Sequence, residues 1–338
     1  MNILVTGGAG FIGSHTVVEL VAAGHKPIII DDFSNSDKSV LTGLRNILGY
    51  DVDFVEGDCN DESVLNKVFT DFSIDGVIHF AAAKAVGESV KLPLKYYEMN
   101  VGSLITLIKV MEAQKVSKLV FSSSCTVYGE PDIVPVTEET PRKPANSPYG
   151  NTKTIGEDIL RDSVISGGNF QFVALRYFNP VGAHESAEIG ELPNGVPSNL
   201  VPYITQAAIG LRDSLTIFGD DYDTADGTNI RDFIHVVDLA KAHVTAFEYL
   251  NKAPENFYDV FNVGSGQGNS VLELVKTFEK VNDLKLNYSI GNRRDGDTVK
   301  IYGDVTKANK ILNWKTEKTL EDALKDAWRW ECKLAKQK

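Results

Sequence analysis

The sequence predicts an α/β fold: a Rossmann-type doubly wound parallel sheet followed by a smaller mixed α/β C-terminal domain. Three observations carry this. Short, uninterrupted apolar runs alternate with amphipathic stretches through the first half, the pattern of parallel strands buried on both faces. Gly7, Gly10 and Gly13 stand between the first apolar run and the first helical stretch. The 338 residues, 43% hydrophobic and 24% charged, are too many for one small module, and their composition excludes disorder, collagen-like repeats and coiled coils.

The elements follow in order. Residues 3–5 form the first strand, 11–23 the first helix and 27–31 the second strand. Phe54-Val55 precedes a helix near 61–70, and the strand at 76–80 leads to a helix through about 94–114. The strand at 118–121, the helix at 149–166 and the strand at 170–176 complete the alternation. From 180 to 200, Pro180, Pro193 and Pro197 with Gly182, Gly190 and Gly195 read as a long irregular segment, and such a loop in a compact protein is usually functional. Beyond it come a helix near 200–211, a strand at 215–218, a helix at 236–250, a strand at 258–262 and a last helix near 319–334. Trp314, Trp328 and Trp330 read as anchors of the smaller core. The expected division is 1–178 for a nucleotide-binding domain and 179–338 for a substrate domain. Parts of 231–262 are allowed to pack back on the first domain, and the cleft lies between the two.

Lys plus Arg number 34 and Asp plus Glu 46, a formal charge of −12. Such a chain repels nucleic acid and anionic membrane surfaces, so any phosphate it binds is held by placed cations and backbone amides. Three cysteines, Cys59, Cys125 and Cys332, argue against a disulfide framework and for a reducing, cytoplasmic setting. There is no CxxC pair and no HExxH, so no metal site is expected. The opening residues do not read as a signal peptide, because glycines interrupt their apolar run. No apolar stretch nears the roughly 18 residues of a membrane span.

Gly7-x-x-Gly10-x-x-Gly13 directly follows a strand and opens a helix. Small residues there let the backbone approach a pyrophosphate, whose charge then sits on the helix N-terminus. The next strand ends at Asp31, about 20 residues on, where a carboxylate suits the ribose hydroxyls of a dinucleotide. Asp32 follows and no Arg lies in 31–37; a 2′-phosphate would meet two negative charges, so NAD is favoured over NADP. Asp58 fits an adenine edge contact or a helix N-cap, and the two readings can coexist. Ala81-Ala82-Ala83 at the next strand end admits a ligand close to the backbone. Lys84 stands at the carboxyl end of a parallel strand, where open α/β sheets bind ligands.

Ser122-Ser123-Ser124 ends the fifth strand, and Tyr149 and Lys153 are i and i+4 on the following helix, hence on one face. A free Tyr titrates at about 10. An ammonium alongside, with a positive nicotinamide nearby, stabilises the phenolate and makes it a base. A Ser hydroxyl can relay a proton between substrate and phenol.

The segments LVTGGAGFIGSHT, VIHFAAAKAVGESV, FSSSCTVYGE, SPYGNTK, LRYFNPVGAH, DGTNIRDFIHVVDLA and RRDGD resemble the extended short-chain dehydrogenase/reductase family, on its nucleotide-sugar epimerase side, over essentially the whole chain. The resemblance implies a redox-neutral inversion at C4 of UDP-glucose and UDP-galactose, the isomerase step of galactose metabolism, with tightly bound NAD, a 4-keto intermediate and a homodimer. Ser124 and Tyr149 would handle the 4-hydroxyl proton, and Lys153 would hold the nicotinamide ribose. It places Gly7, Gly10, Phe11, Ile12, Gly13, Asp31, Asp32, Asn35, Asp58, Cys59, Phe80, Ala81, Ala82, Lys84, Ser122, Tyr149, Lys153, Tyr177 and Phe178 at the cofactor. Asn179, Asn199, Leu200, Thr216, Phe218, Arg231, Arg294 and Asp297 fall at the substrate, together with Lys84, Ser124 and Tyr149. Helices near 94–114 and 149–166, with Ile155 and Ile159 outward, would pair across the dimer.

Two departures matter. Met99 stands where relatives place an Asn, so the polar cofactor contact passes to Asn100. Ile301 occupies the position gating the sugar pocket, where an aromatic accompanies plain hexoses and a small residue 2-acetamido sugars. Its intermediate bulk implies UDP-glucose/UDP-galactose activity with weaker UDP-GlcNAc/UDP-GalNAc activity. The competing readings are the N-acetyl pair as main substrates, a nucleotide-sugar 4,6-dehydratase, and a non-catalytic NAD and UDP-sugar sensor. The dehydratase reading lacks its Asp-Glu pair, since Cys125-Thr126 follow Ser124. Cys125 reads as an inert packed thiol and His79 as a satisfied core residue.

Overall fold

A computed structural model describes residues 1–294 and 297–337 of the chain. The middle of the RRDGD run, residues 295 and 296, lies outside the described residues.

The first half alternates as its apolar runs require: β1 (Asn2–Thr6), α1 (Phe11–Ala22), β2 (Lys26–Asp31), α2 (Ser39–Leu48), β3 (Asp53–Glu56), α3 (Glu62–Phe72) and β4 (Gly76–His79). Next come α4 (Val86–Lys91), α5 (Pro93–Tyr96), a π-helical turn (Tyr97–Gly102), α6 (Ser103–Ala113) and β5 (Lys118–Ser122). A 3₁₀ turn (Cys125–Tyr128), α7 (Pro148–Ile165) and β6 (Gln171–Tyr177) follow. The single helix expected through 94–114 is thus broken: Pro93 opens a new turn, and one wider turn intervenes before α6.

Thereafter come β7 (Asn179–Val181), α8 (Leu200–Ala208), β8 (Leu215–Phe218), β9 (Ile230–Arg231), β10 (Phe233–His235), α9 (Val236–Leu250) and β11 (Phe257–Val263). The chain ends with β12 (Asn269–Ser270), α10 (Val271–Asn282), β13 (Tyr288–Gly291), β14 (Lys300–Ile301) and α11 (Leu320–Gln337). Three helices were not expected from the sequence, α2, α4 and α10. The last carries a full capping box between Ser270 and Glu273, a signal readable in the sequence.

Seven strands form one sheet in the order β11-β6-β5-β4-β1-β2-β3, every pair parallel. Strand alternation divides its side chains between two cores. Ile3, Val5, Ile29, Ile78 and Val120 face the layer containing Val17, Leu239 and Phe247 of α1 and α9. Leu4, Ile28, Ile30, Val77 and Leu119 face Leu65, Leu104, Leu107 and Leu160 of α3, α6 and α7. Continuous apolar strands are what this double burial demands. The sheet order reverses at β1, between β2 and β4, and the crevice there opens at the carboxyl ends of the strands.

A third core joins α8, α10 and α11 through Ile204, Leu274, Phe278 and Leu324. Trp328 belongs to it, but Trp314 does not. Trp314 packs in the α1/α9 layer and donates to the Asp238 carbonyl at 2.9 Å. The expectation of three tryptophans in the small core is corrected accordingly, because the chain after β14 crosses back over the large unit before α11 begins. Trp330 instead meets Gly190 and donates to the Glu191 carbonyl at 2.9 Å.

Candidate active site

The glycine turn is dictated by contact. Gly7 has φ +68°, and a Cβ on it would lie 2.8 Å from the Ala81 nitrogen; a Cβ on Gly13 would lie 2.3 Å from the Gly7 carbonyl oxygen. Helix α1 begins at Gly10 with no side-chain cap and no acidic residue in its first turn, so its leading N–H groups are free for an anion. Asp31 ends β2 almost buried. It accepts from Ala9 N–H (3.0 Å), Phe33 N–H (3.0 Å) and Ser36 Oγ (2.7 Å). Burial raises its pKa while these donors hold it down.

One cavity of about 530 Å³ runs along this end of the sheet, within the range of small-molecule sites, about 300–1,000 Å³. Gly7, Gly10, Phe11, Ile12, Gly13, Asp31, Asp32, Asn35, Asp58 and Cys59 line one part, and Phe80, Ala81, Ala82, Lys84, Ser122, Tyr149, Lys153, Tyr177 and Asn199 the rest. An elongated cavity with an uncapped helix N-terminus midway and a carboxylate beyond it fits a dinucleotide such as NAD. Residues 190–194 and 196–199 form its cover, which gives the irregular segment its role in the fold.

Several expectations change here. Asp61, not Asp58, caps α3, accepting from Ser63 N–H and Val64 N–H; Asp58 accepts from Asn60 N–H at 2.8 Å. Asn100 does not line the cavity: its amide bonds both Ala83 N–H (2.8 Å) and Ala83 C=O (3.0 Å) and reaches Thr152 Oγ1 (3.0 Å). Met99 lines the cavity instead, because the π-helical turn rotates Asn100 inward. Phe178 is likewise behind the wall, packed with Cys125 and Ile301. Glu191, of which the sequence alone gives no sign, draws Lys84 Nζ (3.3 Å) and Asn199 Nδ2 (2.6 Å) to one carboxylate across the cleft.

Helix α7 is started by Ser147, whose side chain accepts from Gly150 N–H, with Pro148 in its first turn, both favourable openings. It carries Tyr149, 9% exposed, and Lys153, 4% exposed. Lys153 Nζ donates to the Ser122 carbonyl at 2.7 Å and stands 5.9 Å from the centre of the Tyr149 ring. Burial lowers Lys153 to about 8. Burial also drives Tyr149 well above its ordinary value, with Ser124 acting in the opposite sense. Desolvation is thus the largest influence on the phenol in this interior. Ser124 Oγ accepts from Thr126 N–H at 3.2 Å, and Ser122 Oγ donates to Tyr177 Oη at 2.9 Å. Cys125 is buried and pushed up to about 12 by desolvation, and His79, bonded to Thr6 Oγ1 at 2.7 Å, falls to about 3 through burial. Both are buried.

The second set converges from short strands. Arg231 of β9 lies in register with Ile301 of β14, and Ile301 packs on Cys125 beside Ser124. Burial works against the Arg231 charge and Asp297 supports it, at 4.0 Å. Arg294 stacks over Phe218 at 4.5 Å, on the strand that also carries Thr216. Asn199 precedes α8, which Leu200 opens, and Asn179 Nδ2 donates to the Asp232 carbonyl at 3.2 Å. Arg231, Arg294 and Asp297 thus stand together, with Arg294 over Phe218, and neither they nor Ser124 belong to the lining of the cofactor cavity.

Residues 3–264 match the model of the NAD dependent epimerase/dehydratase family. The chain is 48% identical to a UDP-glucose 4-epimerase of Dictyostelium discoideum over 98% of this chain and 95% of that one. Among solved structures, a Stenotrophomonas maltophila UDP-glucose-4-epimerase with bound NAD and formylated UDP-arabinopyranose matches with TM-score 0.97 and 45% identity over the full length of both chains. A Bifidobacterium longum UDP-glucose 4-epimerase in complex with NAD+ and UDP matches with TM-score 0.95 and 46% identity over 98% of each. The chain belongs to the NAD dependent epimerase/dehydratase family.

Proposed function

We propose that this chain is an NAD-dependent isomerase that interconverts UDP-glucose and UDP-galactose by inverting C4 of the sugar. The observation that carries the reading is one cavity lined at once by the glycine turn, Asp31, Tyr149 and Lys153. The glycine turn and the N-terminus of α1 hold the pyrophosphate of NAD, Asp31 its adenosine ribose, and Lys153 the nicotinamide ribose. When bound, NAD supplies a hydride acceptor and donor in alternation, so that C4 is oxidised to a ketone and reduced again with no net redox change. Tyr149, assisted by Ser124, takes the proton from the 4-hydroxyl as hydride leaves C4, and returns it to that same oxygen as hydride comes back to the opposite face of C4. Arg231 and Arg294 hold the UDP diphosphate, with Asn179, Asn199, Leu200, Thr216, Phe218 and Asp297 around it. The grip is thereby placed on the nucleotide and the sugar is left free to turn.

Residues 1–178 hold NAD and 179–338 the UDP-sugar in this reading, with α9 and β11 serving the first unit. The intermediate bulk of Ile301 supports weaker turnover of the N-acetylated pair. A dehydratase is disfavoured because Cys125 and Thr126 follow Ser124 in place of an Asp-Glu pair, and Cys125 is a buried thiol. A homodimer is supported by the exposed Val90, Leu92, Leu94 and Ile105 on the α4–α6 stretch, and sedimentation tests it. No described helix is long and apolar enough to cross a membrane, and the free cysteines suit the cytoplasm.

Product analysis after incubation with UDP-galactose and, separately, UDP-GalNAc, without added NAD, tests the function. Tyr149→Phe is expected to lower turnover at least about a hundredfold while UDP binding persists. Unchanged turnover would remove Tyr149 as the base.

A further inference from the structure

Ser122, Ser123 and Ser124 are consecutive, yet only the first and third belong to the reading above. Ser123 is fully buried, and its Oγ donates to Glu157 Oε1 at 2.6 Å. Glu157 continues the face of α7 that carries Tyr149 and Lys153, at i, i+4 and i+8. A carboxylate only 1% exposed is costly unless paired. Glu157 is paired: Arg176 of β6 donates to it through Nε (2.9 Å) and Nη2 (2.7 Å), with Arg142 at 3.6 Å.

The same Arg176 donates through Nη1 to Tyr128 Oη at 3.1 Å and to the Glu138 carbonyl at 3.2 Å. Tyr128 closes the 3₁₀ turn that begins directly after Ser124 and donates to Asn262 Oδ1 at 2.6 Å. One ion pair therefore fixes both flanks of Ser124, the residue before it through Glu157 and the turn after it through Arg176. It does so on the helix that presents Tyr149.

We infer that Ser123, Glu157 and Arg176 are positioning residues that set the Ser124 hydroxyl against the Tyr149 phenol. This rests on the reading of Tyr149 as the base. The groups facing Tyr149 are Lys153 on its own helix, Tyr177 from the end of β6, Cys125 from the 3₁₀ turn and Tyr96 from α5. Around Glu157 stand Arg176, Arg142, Tyr128 and Tyr258. Removing the Ser123 hydroxyl leaves all of these groups in place and loosens only the alignment of Ser124.

The test uses the NAD-loaded enzyme. Ser123→Ala is expected to lower kcat for UDP-galactose about tenfold, because small misplacements of a proton-transfer group are costly, with KM within about twofold and NAD content unchanged. The acid limb of the kcat profile is expected to move to higher pH, since Ser124 opposes the upward pull of burial on the phenol. Glu157→Gln keeps an acceptor for Ser123 but strands Arg176, which holds the turn after Ser124, so it is expected to lower kcat and Tm together and to move the limb in the same direction; should it fail to fold, Ser123→Ala decides alone. The inference is overturned if Ser123→Ala keeps wild-type kcat and pH profile, or if its loss of activity only follows loss of NAD or folded protein. An active Tyr149→Phe would instead overturn the underlying reading, so the two failures are distinguishable.

Discussion

Gly13→Ala tests how the cofactor loop is built. The added Cβ would lie 2.3 Å from the Gly7 carbonyl oxygen and 2.8 Å from the Gly8 Cα. Both are backbone atoms, so no rotamer change relieves the clash. Ordinary contact begins near about 3.4 Å, and the loop must therefore move by roughly 1 Å. Overpacking of this kind costs about 1–3 kcal/mol of stability. The larger effect falls on the ligand, because the shifted backbone carries the N–H groups aimed at the pyrophosphate. Binding sites tolerate about 0.5 Å, and a displacement of about 1 Å weakens NAD on the order of a hundredfold, or about 2.7 kcal/mol. Bound NAD per chain after purification, calorimetric titration with NAD, and epimerisation with and without added NAD give the measurement. Gly87→Ala in α4 is the control: nothing lies within 4 Å of its Cβ, and stability is expected to hold or to rise by about 0.5 kcal/mol. A Gly13→Ala protein that retains full NAD and normal turnover would refute the steric account.

Other expectations follow from the same geometry. Lys153→Met should abolish activity, yet its stability relative to wild type should depend on pH in one direction. Burial depresses Lys153 to about 8 from 10.5, so its charge destabilises the fold fully below pH 8. That cost is lifted as pH rises toward 10.5, amounting to about 3 kcal/mol. Urea titrations of cofactor-stripped wild type and variant should therefore show wild type gaining about that much on the variant between pH 7 and 11, and a constant gap would contradict it. Ile301→Ala should raise the turnover ratio of UDP-GalNAc to UDP-galactose, and Ile301→Tyr should lower it, read from product ratios. A ratio that ignores both changes would detach Ile301 from the sugar pocket.

Much of the fold is legible in the chain because a parallel sheet covered on both faces needs continuous apolar strands, and these occur at 2–6, 26–31, 76–79, 118–122 and 171–177. Helix α2 is harder to see. No side-chain cap opens it, and Val40 and Leu44 reach a core shared with Ile189 from far along the chain. Helix α10 carries a purely local signal, its capping box with Leu274, Val275 and Phe278 on one face.

The sequence by itself determines the glycine turn, the Asp31 carboxylate and the Tyr149–Lys153 helix face, because each depends on residues a few positions apart and on backbone rules. Only the tertiary structure decides what surrounds them. Glu157 meets Arg176 and Ser123, Glu191 bridges Lys84 and Asn199, and Asn100 turns away from the cavity to hold Ala83. Those partners come from different strands and loops. Burial, which raises Tyr149 and lowers Lys153, is likewise a property of the packed interior, because desolvation depends on every neighbour that excludes water and not on the local order of residues.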